Sequence, residues 1–272
     1  MMKRVIVVVF IVVIAISVPL ALPLGAQWLK YPTAGVPRTP DGQPNLSAPA
    51  PRTADGKPNF SGTWEMEHNR PCPPDGCDDM QITQEFLNIA WSLKDGLPYQ
   101  PWAAELVKAR KIHRDTPISH CLPVGIMELQ TLPFFRKIVQ VPGLFVILNE
   151  HNASYRQIFT DGRPLPIDPQ PAWNGYSTGK WDGDTFVVET TGFRDGIWLD
   201  GVGNPLTEAA TVTERFHRVN YGRLEVEVTV DDPKAYTKPW TIKLNQGLVL
   251  DADLLEYICL ENEKDLPHFV VK

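Results

Sequence analysis

Residues 175–193 read Gly-Tyr-Ser-Thr-Gly-Lys-Trp-Asp-Gly-Asp-Thr-Phe-Val-Val-Glu-Thr-Thr-Gly-Phe. Two runs rich in Thr, Val and aromatic residues flank Asp182-Gly183, and that pattern is a strong short-range signal for a β-hairpin. Read as a two-residue type I′ loop, it pairs Trp181 with Asp184, Gly179 with Phe186 and Tyr176 with Glu189. Phe186 then covers the bare backbone of Gly179. Tyr176 and Glu189 fall opposite one another on one face, as a cross-strand pair or a proton donor with its partner.

Working outward, strand-like runs recur at 135–141, 144–151, 154–160, 176–181, 185–191, 211–219, 224–230, 240–245 and 254–260. No long helix lies between them, so the expectation is antiparallel neighbours. Eight or nine such strands in sequence close into an up-and-down barrel that leaves no exposed edge. A two-sheet sandwich is the alternative. The expected fold is mainly β, a lipocalin-like antiparallel barrel over 135–272 with a short helical segment packed on it over 60–134. In that segment, Thr83 caps one helix with Phe86, Leu87, Ala90 and Trp91 as its apolar stripe. Pro101 opens a second, with Trp102, Leu106 and Ala109 on its inner face. A short strand is expected over 62–66.

In a strict meander the loops alternate between the two ends. Asn152-Ala153, Asp182-Gly183 and Asn220-Tyr221-Gly222 then share one end. The long connections 161–175, 192–210 and 231–239 form a mouth at the other, and ligand-binding residues gather on such loops. Trp173, Trp198 and Tyr236 lie there, either stacking on a ligand or plugging the barrel.

The hairpin at Asn220-Tyr221-Gly222 fits a three-residue loop with Gly in the left-handed position. It pairs Val212 with Val230, Glu214 with Val228 and Phe216 with Val226 on one face. Thr213 meets Thr229, Arg215 meets Glu227 and His217 meets Glu225 on the other. Glu214 is the misfit, a carboxylate on an apolar face. Burial without a partner is costly, so it needs a cation, a donor or a raised pKa. Arg156 and Arg218 are the candidate cations. The chemistry open to the chain is an ion pair, or acid/base work by Glu214 with Glu189 and Tyr176.

The N-terminus bounds the compartment. Lys3 and Arg4 precede an almost wholly apolar run to Leu22, in the layout of a secretory signal over 1–26; an uncleaved anchor is the rival reading. Among 272 residues the formal net charge is −6, and loss of Lys3 and Arg4 takes it to −8. No basic stripe offers nucleic acid a footing. Four cysteines in an exported chain imply disulfides. Cys72 and Cys77 flank a Pro-Pro-Asp-Gly turn, leaving Cys121 and Cys259 to staple the helical part to the last strand, though four cysteines allow three pairings. The histidines show no metal-ligand spacing, and no phosphate loop, Gly-x-Ser-x-Gly elbow or dinucleotide fingerprint occurs. No cofactor or metal is expected. Residues 27–59 are proline-rich and read as an extended tether. They carry a repeat: Arg38-Thr39-Pro40-Asp41-Gly42-Gln43-Pro44-Asn45-Leu46-Ser47 returns as Arg52-Thr53-Ala54-Asp55-Gly56-Lys57-Pro58-Asn59-Phe60-Ser61.

The stretch Asp55-Gly56-Lys57-Pro58-Asn59-Phe60-Ser61-Gly62-Thr63-Trp64 joins a set of specific motifs. The others are Pro101-Trp102-Ala103-Ala104, His120-Cys121-Leu122-Pro123, residues 155–163 and 181–193, Thr213-Glu214-Arg215-Phe216 and residues 231–236. Together they resemble a family of exported, functionally uncharacterised bacterial proteins, over nearly the whole chain beyond the signal. That family usually has Leu where Phe186 stands. The resemblance implies a bacterial, exported origin and a single integrated unit, and supplies no catalytic residues. The expected function is binding of a small, largely apolar molecule in the barrel mouth, without stable membrane insertion once the signal is cleaved. The alternatives are a lyase, isomerase or cyclase using interior carboxylates, or a structural envelope protein with a filled barrel.

Overall fold

Burial alternates along three long strands and so defines the inside of a barrel. The computed structural model describes residues 32–67, 82–113, 116–259 and 261. On β9 (Thr211–Asn220), Val212, Glu214, Phe216 and Arg218 are buried. On β10 (Arg223–Asp231), Leu224, Val226, Val228 and Val230 face the same way, as do Trp240, Ile242, Leu244 and Gln246 on β11 (Trp240–Val249). The remaining barrel strands are β1 (Gly62–Met66), β2 (Arg136–Val141), β3 (Leu144–Asn149), β4 (Tyr155–Phe159), β5 (Tyr176–Asp182) and β6 (Thr185–Thr191). A small separate ladder joins β7 (Ile197–Trp198) to β8 (Pro205–Leu206). Among the described residues three α-helices occur, α1 (Gln84–Leu87), α2 (Pro101–His113) and α3 (Ile126–Thr131), with a short 3-10 helix over Pro117–His120.

Nine strands close the barrel in the order β1-β11-β10-β9-β6-β5-β4-β3-β2. The meander expected from the sequence is therefore present, with one change. A closed ring needs an even number of direction reversals, so nine strands cannot all be antiparallel. The odd pair is β4 with β5, which run parallel through Ile158↔Ser177 and Phe159↔Thr178. A crossover without any helix makes this possible. Residues 160–175 return the length of the barrel outside it, and residues 162–165 lie with Val187 and Glu189 along a surface cleft on the outer face of β5 and β6. Absence of a helix between strands does not exclude a parallel pair when an irregular connection is long enough.

This reversal changes which loops share an end. The tight turns at Pro142-Gly143, Gly183-Asp184 and Tyr221-Gly222 gather at one end, here the turn end. The turn at Asn152-Ala153 moves to the other, the loop end, with residues 82–113 and 116–135 and the connections 192–210 and 232–239.

The first strand closes the ring. β1 pairs with β2 on one side and β11 on the other, taking the place expected for 254–260. The described part of that last segment is irregular and is pinned beside the β3–β4 turn. Leu255 N donates to the Glu150 carboxylate at 2.8 Å, Cys259 N donates to Asn152 Oδ1 at 3.0 Å, and Cys121 is bonded to Cys259 with Cα atoms 5.4 Å apart. Cys72 and Cys77 lie outside the described residues, as does the segment 1–26 expected to be a signal.

The β9–β10 register is the one expected, Glu214 opposite Val228 and Arg215 opposite Glu227. Gly222 is not left-handed, however; a Cβ there would fall 2.6 Å from that of Leu46. The β5–β6 register is shifted by two residues. Trp181 faces Phe186 and Tyr176 faces Thr191, because the loop is Gly183-Asp184, with positive φ at Gly183 alone. A first-position glycine fits a II′ loop rather than I′. An even shift keeps every side chain on its expected face. Phe186 does cover Gly179, where a Cβ would lie 2.3 Å from the ring.

The helical segment departs further. Thr83 caps α1 by accepting from Phe86 N, but the helix stops at Leu87, and Leu87 and Trp91 are exposed. In α2 the buried face is Ala103 and Val107, one position round from the expected stripe. The leader is not an extended tether over its described part. Each repeat closes into a small loop, and Phe60 drops into the barrel to meet Phe145, Trp181, Phe186 and Phe216 with ring centroids 5.6–6.4 Å away.

The Cys121–Cys259 bond spans 138 residues, so its loss frees a long loop in the unfolded chain. Cys121→Ser with Cys259→Ser is expected to cost about 2–5 kcal/mol, read as a lowered urea midpoint that disappears when both proteins are measured under reducing conditions.

Candidate functional site

Two places concentrate chemistry: a buried polar layer at the loop end and an aromatic cleft at the turn end. In the first, alternation along β9 aims Glu214 into the barrel and alternation along β4 aims Arg156 at it; their side chains are 0% and 5% exposed. Arg156 grips both carboxylate oxygens, Nη1 donating to Oε1 at 3.1 Å and Nη2 to Oε2. Gln130 Nε2 adds a donor to Oε1 at 2.8 Å. The rest of the guanidinium is also used, Nε on Ser177 Oγ at 3.1 Å and Nη2 on Thr190 Oγ1 at 2.8 Å. This bidentate pair carries the hydrogen bonds that a buried ion pair needs to offset desolvation. Arg218, the other candidate cation, turns instead to the carbonyls of Asn59 and Tyr221 and lies over the Trp64 ring at 4.9 Å. Burial lowers its pKa to about 10.

All six residues of α3 are buried. It fills the loop end and brings Gln130 to Glu214. Arg136, at the start of β2, holds the C-terminal half of α3 through Nη1 to Leu129 O at 3.0 Å and Nη2 to Gln130 O at 2.7 Å. Its Nε has no protein partner, and burial pulls its pKa down to about 9. Glu128 is 2% exposed with Oε2 unpartnered. Burial first, then the nearby Asp200 charge, raises its pKa to about 8. The sequence reading missed α3 and with it Glu128, Gln130 and Arg136. The apolar run around Ile126, Met127, Leu129 and Leu132 was the available signal for a wholly buried helix. The parity of Arg136 with Ile138 marked an inward cation.

The other expected site residues do not join Glu214. Tyr176 and Glu189 lie on the outer face. Tyr176 stacks on Phe159 at 5.3 Å and accepts from Arg163 at 3.4 Å. Glu189 lines the surface cleft with Arg163 and Lys180 and sits opposite Thr178, not Tyr176. Glu214 and Glu189 thus point to opposite sides of one sheet. Trp198 and Tyr236 are buried parts of the loop-end core. Arg110 lies over Trp198 at 4.5 Å, and Tyr236 donates to Pro205 O at 2.8 Å. Trp173 is half-buried under Arg194 at 4.5 Å. The loops there are fixed by two buried carboxylates. Asp200 accepts from Ile89 N, Gly203 N and Asn204 N, and Asp232 from Thr207 N and its hydroxyl. Among the described residues the inside of the expected mouth is therefore filled, and what remains between α2 and residues 195–208 is a surface groove of about 340 Å³.

A cleft of about 810 Å³ opens at the turn end. Trp181 supplies its accessible aromatic surface with the buried rings of Phe145 and Phe186 behind it, Val141 to Leu144 form one lip, and Thr53 to Asp55 of the leader another. Lys57 Nζ stands 5.7 Å over the Trp181 ring. Among the described residues no cluster of three or more His, Cys, Asp or Glu is placed to hold a metal ion, and no helix is long and apolar enough to cross a membrane. No family model and no curated protein matches the chain.

Glu214→Gln leaves Arg156 buried without its counter-charge, and is expected to cost about 3–5 kcal/mol. Arg156→Met with Glu214→Leu should recover part of that in a double-mutant urea series; equal loss in single and double variants would contradict a pair. Glu128 binds its proton more tightly folded, at about 8, than at its ordinary 4.5. The native state then holds the extra proton between those values. Stability should fall as pH rises through that window, with a slope of up to about 1.4 kcal/mol per pH unit, and Glu128→Gln should flatten it.

Proposed function

We propose that the protein is an exported β-barrel that binds a small, largely apolar molecule. The binding place is the turn-end cleft, not a mouth at the loop end. The observation that carries this reading is the 810 Å³ cleft whose accessible apolar surface is Trp181, Val141 and Leu144, with Phe145 and Phe186 packed behind it, a size that suits a small molecule. Inner faces elsewhere along the barrel are occupied by buried side chains from every strand, which supports the cleft over an axial cavity. The Cys121–Cys259 bond supports an oxidising, extracytoplasmic compartment.

The enzyme reading loses its first candidate, since both oxygens of Glu214 are committed to Arg156 and Gln130. What favours it at all is Glu128, a buried carboxyl with a free oxygen and a pKa raised to about 8. A filled structural barrel would share the packed interior but gives no use to the cleft.

Native mass spectrometry of protein purified from its host is expected to show a retained small molecule. With 1-anilinonaphthalene-8-sulfonate as probe, binding to the full chain should weaken about tenfold on Trp181→Ala, a loss of roughly 1.4 kcal/mol, and similarly on Leu144→Glu. Unchanged binding in both folded variants would reject the cleft.

A further inference from the structure

The leader repeat offers an unused copy of a contact that its second half already makes. The two loops are built alike. Arg38 bridges Pro44 and Arg52 bridges Pro58 across each loop. Gly42 and Gly56 take φ of +83° and +80°, which only glycine adopts freely. Thr39 and Thr53 each donate to the aspartate two residues on, Asp41 and Asp55. Asn45 N donates to Pro37 O and Asn59 N to Pro51 O, both at 2.8 Å. In each loop the arginine is steadied by the glycine carbonyl, Arg38 Nη1 to Gly42 O at 2.9 Å and Arg52 Nη1 to Gly56 O at 2.7 Å.

The second loop then reads the tip of a β-hairpin. Arg52 forks onto the Asp184 carboxylate at 3.0 and 2.6 Å, and Lys57 Nζ donates to Gly183 O at 3.2 Å. A planar fork held in place beforehand is suited to a carboxylate. The first loop is fastened to the barrel by other atoms: Gly222 N donates to Leu46 O at 2.8 Å and Tyr221 N to Ala48 O at 2.7 Å. Arg38 is exposed, and among the described residues it forms no ion pair. Gln43 stands where Lys57 stands in the second loop, a neutral donor for the same carbonyl. The chain's own Gly183-Asp184 tip is already filled by Arg52, so the occupant must come from elsewhere.

We propose that the loop over residues 38–45 is a docking site for an acidic β-hairpin turn of another protein, one presenting Gly-Asp at its tip. The second loop supplies the template for the contact: guanidinium on carboxylate, and the donor five residues on to the carbonyl of the preceding glycine. Because the site is an exposed ion pair with one flanking hydrogen bond, binding is weak and sensitive to salt.

The test is a disulfide-cyclised hairpin peptide with the tip Trp-Asp-Gly-Asp-Thr, titrated at low salt into the full chain labelled with ¹⁵N. Saturable shifts are expected at the Arg38 side-chain Nε and the amides of 39–43. They should vanish in Arg38→Ala, weaken several-fold in Arg38→Lys, and weaken likewise with a Gly-Asn tip. Both variants are solvent-exposed, and unchanged spectra elsewhere verify their folding. The proposal is overturned if shifts are absent, persist in Arg38→Ala, or centre on Arg52. Self-association of the chain that depends on Arg38 would overturn the assignment to another protein and give the site to a second copy.

Discussion

An odd number of strands in a closed ring forces one parallel pair, and much of this structure follows from that constraint. The pair falls between β4 and β5. Its crossover must travel the barrel's length, and it does so as the proline-containing segment 160–175 over the outer face of β5 and β6. Beyond the crossover, each turn has changed ends relative to an even-numbered meander. The long connections and α3 therefore collect at one end and the tight turns at the other. The interior at the loop end is filled, because so much chain arrives there. The turn end, with little chain of its own, is where the leader docks and where the cleft stays open.

Packing at the filled end is costly in charge. Glu214, Arg156, Arg136, Glu128 and Asp200 are all buried there. An ion pair in such surroundings adds little net stability over an apolar pair of the same shape, but removal of one partner is expensive. Its role is to fix position. Arg156 ties β4 to β5, β6 and β9 at the parallel junction through Ser177, Thr190 and Glu214. That junction carries only two register pairs, fewer than any other in the barrel, so a cross-linking side chain matters most there. Glu214 also holds α3 through Gln130, coupling the plug to the same junction.

How much of this was legible in the sequence depends on whether local rules or ring closure decided the outcome. Alternation is local, and the inward set of β9 and β10, Glu214 included, was read correctly with its register and with Arg156 as a candidate partner. Turn type is less secure. Asp182-Gly183-Asp184 offers two adjacent two-residue loops, and choosing the wrong one shifted the register while leaving the faces intact, so Phe186 over Gly179 held and Tyr176 beside Glu189 did not. Closure is not local at all. That β1, five residues far from its partners in sequence, would complete the ring in place of 254–260 is set by the disulfide and Glu150 holding that tail aside. α3 has no amphipathic face to betray it, since a helix buried all round shows none.

A filled interior leaves function to the rims, and the rim of this barrel is partly made of leader. The turn-end cleft is walled by strand residues on one side and by Thr53 to Asp55 on the other. The loop that supplies that second wall is seated by Arg52 on Asp184 and by Phe60 in the core. The two contacts differ in kind. Phe60 is fully buried, so the chain beside it stays put. The Arg52 pair is exposed, with side chains 54% and 51% accessible, and exposed pairs contribute little. The wall of the cleft is thus hinged on a strong apolar anchor and latched by a weak polar one. Moving that wall away from Trp181 would break the Arg52 pair and the Lys57 contact with Gly183 O, while Phe60, stacked on Trp181, holds the far end of the loop in the core.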